Sequence, residues 1–206
     1  MTTVPDSNPP EPGPPHDQSH QTKDPEPVDA APDQVLVEPL PSSEMIVASF
    51  AGVLPIAGRD ILDPAFDLVA CQREERLAEE ILTDESASLE ELRTAGRTLV
   101  SVRTDIVMLI TLIDDAVREQ LKLRCHHDPT APVLPVTPDN KRPDVVMHTE
   151  SVGDVVARMA ELWELLGAYA PDVSDPPEAV LLMELCDGYD ALAAEIEIGR
   201  RLPAGV

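Results

Sequence analysis

Rings are what this chain has least of: Phe50, Phe66, Trp163, Tyr169 and Tyr189 are its only aromatic residues in 206 positions. Few faces are left on which bases or a flat cofactor would stack. Lysine is equally scarce, confined to Lys23, Lys122 and Lys141, and 15 basic residues stand against 39 acidic ones for a net charge of -24. Such a chain is repelled by phosphate backbones and anionic lipid, so direct binding of nucleic acid or membrane is not expected.

Cysteine is sparse and scattered. Cys71, Cys125 and Cys186 form no C-x-x-C pair, so neither a disulfide framework nor a zinc ribbon is encoded, and a reducing cytoplasm is the natural expectation. Cys125-His126-His127-Asp128 has the residue types of a metal site. Four adjacent residues cannot readily all face one ion, and no metal or other cofactor is expected. Apolar runs are short as well. The longest, Ile106 to Ile113, is broken by Thr111, and the first thirty residues hold none, so neither a spanning helix nor a signal peptide is predicted. There is no Glu-x-x-His, no Gly-x-x-x-x-Gly-Lys-Ser/Thr, no Gly-x-Ser-x-Gly and no His-Glu-x-x-His. The di-iron, P-loop, serine-hydrolase and zincin chemistries lose their signatures with them.

What is present divides in two. Residues 1–43 carry 11 of the 22 prolines, eight acids and one lysine, without an aromatic residue. They cannot bury enough apolar surface to offset the entropy of ordering, so a disordered acidic arm is predicted. Its Pro9–Pro15 run favours polyproline II, suited to a docking ligand or simply to a linker. From residue 44 to 206 the chain reads as one helical domain, rich in Ala, Val, Leu, Ile and Glu at helical spacing.

Four helices are predicted there, after a short lead-in over 43–53. The first follows an Asp63-Pro64 start and runs to about Leu82, with Phe66, Val69, Ala70, Leu77 and Ile81 on its apolar face. Ser88-Leu89-Glu90-Glu91 is a capping box for a second, of about 35 residues. Apolar on every side from Ile106 to Ile113, it is expected to be the buried axis. Five prolines between 124 and 147 mark a crossover loop; a third helix starts near Ser151 with Asp154 at the box position, and a fourth follows Pro176-Pro177. Two hairpins joined by a crossover predict an all-α, four-helix bundle.

Two arginines stand out. On a helical projection Arg73 falls within the expected apolar face of the first helix, and Arg103 near that of the second. Guanidinium groups directed inward need partners, for which Glu74, Asp105, Asp114 and Glu150 are candidates. One reading is a satisfied ion-pair network, or arginines that extend outward along their stems. The other is an inter-helix pocket in which Arg73 and Arg103 bind a small anionic metabolite, with His148, Glu150 and Asp105 as catalytic acid and base groups.

His148 to Trp163, following Val102 to Asp114, resembles a bacterial all-helical family known only as a domain of unknown function. Thr149, Glu150, Ser151 and Gly153 match its cap, Arg158 its helical arginine, and Arg103 with Asp105 its Arg-x-Asp motif; Val152 and Ala157 depart from it. The resemblance, over about residues 65 to 200, implies a helical fold and carries no activity.

Three functions follow. An accessory protein that engages a protein partner or a second copy of itself ranks first, because no catalytic constellation is complete. A ligand-binding protein or small enzyme using the arginine pocket is second, and an acidic DNA mimic third.

Overall fold

The computed structural model describes residues 38–127, 146–147, 150–169, 176–198 and 201–202, with only the backbone described at 125–127, 146–147 and 201–202. The arm up to residue 37, most of the crossover and His148 lie outside this set. The described chain is helical: α1 Ser43–Phe50, α2 Arg59–Thr83, α3 Leu89–His127, α4 Val152–Ala168 and α5 Pro177–Glu197. A parallel pair of two-residue strands, β1 Val146–Met147 and β2 Arg201–Leu202, accompanies them in the register Val146 to Arg201. Five helices replace the expected four, because the lead-in is itself a helix whose Ile46 and Phe50 are buried. No helix among the described residues is long and apolar enough to cross a membrane.

Local chemistry sets the helix starts. Ser88 Oγ accepts the Glu91 N–H at 3.3 Å while the Glu91 carboxylate accepts the Ser88 N–H at 2.7 Å, closing the predicted capping box of α3. Ser151 and Asp154 close another at α4, and Pro177 opens α5 at a position where its missing N–H costs nothing. The start of α2 differs from expectation. It lies at Arg59, with Pro64 inside the helix, after Gly58 turns the chain at φ 71°. Complete burial of Ile61 and Leu62 outweighs the one backbone bond the proline removes.

The long hairpin α2–α3 is the spine; α4 lies on both of its helices, and α5 joins through α4 and α1. Ile61, Leu68, Ile113, Val117, Val156, Met159, Tyr189 and Ile196 fill the shared core, and Phe50 meets Trp163 with ring centroids 6.2 Å apart. Residues 38–43 pack on this body. Leu40 N–H donates to Glu197 at 2.7 Å, Ser43 N–H to Asp190 at 2.8 Å, and Tyr189 O–H to the Pro41 carbonyl at 2.9 Å.

Two expectations about faces are corrected. On α2 the buried positions are Ile61, Leu62, Ala65, Leu68, Val69 and Ala78, whereas Phe66, Ala70, Leu77 and Ile81 are exposed. Nor is α3 buried all round: Leu109 and Ile113 are inside, but Val107 is 63% exposed, and Met108 and Leu112 also face outward. Among the described residues no helix lies across the side of the hairpin opposite α4, where Leu77, Ile81 and Leu112 face outward, whereas Val107 lies at the edge of the cleft shared with α4.

Candidate functional site

Each of the arginines flagged by the sequence sits in its own ion-pair arrangement, and that of Arg73 is organised by a residue the sequence reading missed. Glu164, on α4, has a side chain only 7% exposed. Its carboxylate accepts two bonds from Arg73, through Nε at 3.2 Å and Nη2 at 3.0 Å, and one from Arg76 Nη2 at 3.1 Å. Burial by itself would raise the Glu164 carboxyl, but the hydrogen bonds and charges of the two arginines together hold it below its ordinary value. Arg73 is not an inward charge: its side chain is 59% exposed and reaches over the edge of α2 to a buried acid. The signal for Glu164 was available, since Val156, Ala160 and Glu164 recur at four-residue steps and put a carboxylate on the apolar stripe of α4.

Arg103 turns to α2 instead, with Nε 2.7 Å from Glu75 and Nη2 2.8 Å from Glu79. Between the two arrangements lies a cleft of about 470 Å³ lined by Glu75, Arg76, Glu79, Arg103, Glu161 and Glu164 along with Gln72, Ile106, Val107 and Leu165. Four carboxylates face two guanidinium groups there, so the cleft is anionic and its arginines are already engaged.

The remaining predicted residues are elsewhere. Asp105 is about 160° around α3 from Arg103, by the helical turn of 100° per residue. There it lies beside Cys71, whose thiol is raised first by burial and then by the charges of Asp105, Glu74 and Asp67. Glu150 accepts from Arg158 Nη1 at 3.1 Å, so two residues of the family resemblance meet each other. Asp114, a candidate partner for the arginines, accepts the Gly153 N–H at 2.8 Å instead. His148 lies outside the described residues. Arg73, Arg103, Asp105 and Glu150 are thus distributed over separate contacts and form no common pocket. Among the described residues no group of three or more His, Cys, Asp and Glu is arranged to hold a metal ion.

A second cleft has the opposite character. About 360 Å³ in volume, it lies between the end of α2 and the start of α3, with Leu77, Ala78, Ile81, Ala95, Thr94 and Thr98 inside and Glu74, Glu90 and Glu91 around it. Ala78 and Ala95 are each 3% exposed and bring the two helices close, while Leu77 and Ile81 remain 45% and 40% exposed on its wall. Its lining contains no basic residue.

No family model, curated protein or solved structure matches the chain.

Proposed function

We propose that this chain is a helical accessory protein that engages another protein through the side of the α2–α3 hairpin left uncovered by α4. The observation that carries this reading is the apolar cleft over Ala78 and Ala95, flanked by Leu77 and Ile81, with no further helix laid across it among the described residues. Uncovered apolar walls of this kind cost free energy in water and are characteristic of binding surfaces. The reading takes α2 to α5 as the four helices of a bundle whose hairpin tip is open. It also keeps the chain beside the uncharacterised helical family, through Glu150, Ser151, Gly153 and Arg158.

The competing reading, a pocket for an anionic metabolite, needs guanidinium groups available to the ligand. Arg73, Arg76 and Arg103 each already hold a carboxylate, and the cleft beside Arg103 has twice as many acids as arginines. An incoming anion would meet guanidinium groups whose charge is already balanced and would be repelled by the surplus carboxylates of the cleft.

In-cell photo-cross-linking tests the interaction. A photoreactive residue placed in turn at Leu77, Ile81 and Leu112 should give a discrete adduct from at least one position. A strictly monomeric chain with no adduct from any of the three would overturn the reading.

A further inference from the structure

The α3 residues of the apolar cleft, Thr94 and Thr98, share a helix face with Leu112 and Ala116. Those two line another cleft, of about 440 Å³, with Pro64 of α2. The charged cleft takes its α3 residues from the opposite side, at Arg103 and Val107. The hairpin therefore has a continuous outer face, away from α4, running from Thr94 to Ala116, or about 33 Å of helix.

Resting on the interaction reading above, we propose that this outer face is a groove for a basic amphipathic helix, of about 20 residues, from a partner protein. Its apolar stripe would fill the cleft walled by Leu77 and Ile81, and its lysines or arginines would meet Glu74, Glu90 and Glu91.

Charge complementarity selects this occupant. The tip cleft has an apolar floor and three acids at its edge, with no base among its lining residues; Glu90 is loosely paired with Arg93 at 3.8 Å and Glu91 also caps α3, which leaves Glu74 as the acid with most to offer a cation. Farther along, Asp60, Asp63 and Glu119 outnumber Arg59 around the cleft beside Pro64. The raised Cys71 thiol is a local sign of the same field, since after burial its causes are Asp105, Glu74 and Asp67. A second copy would set this acidic edge against another acidic surface in a chain of net charge -24, whereas a cationic helix gains from the same field. The length of the face suits a helix laid in a groove, read through side chains three and four residues apart.

The test uses the full chain and a fluorescent 22-residue peptide of leucine and lysine, with leucines at helical spacing. One comparator has the same composition with the leucines out of register, and another has glutamate in place of lysine. By fluorescence anisotropy at about 0.15 M salt, the patterned lysine peptide should bind at least about tenfold more tightly than either comparator. Leu77→Ser with Ile81→Ser should weaken it about tenfold or more, whereas Val180→Ser with Met183→Ser on α5 should not. Glu74→Gln, Glu90→Gln and Glu91→Gln together should weaken binding and flatten its salt dependence, a readout independent of the apolar wall. Equal binding by the out-of-register peptide, or indifference to both sets of groove variants, would overturn the proposal. So would a dimer broken by Leu77→Ser with Ile81→Ser, which would give the groove to a second copy. If the groove variants are silent while photo-adducts still form at Leu77, Ile81 or Leu112, this proposal fails alone; if no adduct forms at any of them, the interaction reading fails with it.

Discussion

The N–H of Gly153 donates to Oδ1 of Asp114 at 2.8 Å, at a point where α3 and α4 come so close that a Cβ on Gly153 would lie 2.5 Å from the Ile110 carbonyl oxygen. The contact does two things. It satisfies an N–H of the first turn of α4 that has no partner within its own helix, and it puts a carboxylate at the positive end of that helix. Ala at position 153 would have to push α4 off α3. Gly153→Ala should therefore destabilise the chain by about 1–3 kcal/mol in urea unfolding. Gly188, within α5, has nothing within 4 Å of its would-be Cβ, so Gly188→Ala should stabilise by about 0.5–1 kcal/mol. The same substitution thus takes opposite signs at the two sites.

Glu164 should give the fold an acid-sensitive component. Its carboxyl is held below the ordinary value of 4.5 by Arg73 and Arg76. A depressed pKa means that the contribution is complete above about pH 4.5 and is lost as pH falls through the lower folded value. Glu164→Gln should cost about 1–3 kcal/mol at pH 7, the range for bonds to a charged group, reduced by the exposure of Arg73. Unfolding free energies measured from pH 7 down to pH 3 should show a constant gap between the two proteins down to about pH 4.5 and a narrowing gap below it. A gap that widened in acid would contradict the arrangement.

Local chemistry was accurate at three helix starts: the Ser88–Glu91 and Ser151–Asp154 boxes and the proline start of α5 are within a few residues of where they were read; it failed at Asp63-Pro64, because α2 already begins at Arg59. Faces were less legible. Phe66, Leu77 and Ile81 have helical spacing, but spacing does not say which side of α2 a neighbour will cover, and α4 covers the other. Arg73 and Arg103 sit in ion pairs, the first of their two readings. Periodicity places a Cα, and a side chain as long as Arg73 carries its charge several ångströms away to Glu164. The true buried charge was an acid on α4, in register with Val156 and Ala160 but hidden among the leucines that follow it.

Cys71 offers a probe of the acidic outer face. Burial raises its thiol first, and Asp105, Glu74 and Asp67 raise it further, so little thiolate is present near neutral pH. In a background with Cys125→Ser and Cys186→Ser, iodoacetamide at pH 8 should alkylate Cys71 more slowly than a free thiol. Asp105→Asn removes one of the opposing charges and should accelerate the reaction, with the rate profile moving to lower pH. An unchanged profile would mean that Asp105 does not act on the thiol.

The segment 38–43 acts as a strap that joins α5 to the α1–α2 turn. Glu38 accepts the Gly58 N–H at 3.0 Å, Leu40 is buried and donates to Glu197, and the Pro41 carbonyl takes the Tyr189 hydroxyl. Tyr189 is 1% exposed, and its hydroxyl is raised far above its ordinary value by burial, then by Asp190 and Glu197. It therefore stays a neutral donor at any working pH. Tyr189→Phe leaves the Pro41 carbonyl without that donor and should cost about 1–3 kcal/mol. Deleting residues 1–43 should lower the melting temperature by several degrees relative to deleting 1–37, because only the longer deletion removes the burial of Leu40 and the bonds of Ser43 to Asp190. Hydrogen exchange locates the effect: in the Tyr189→Phe protein the amides of Leu40 and Ser43 should exchange faster, while that of Gly153, bonded to Asp114 between α3 and α4, should not change.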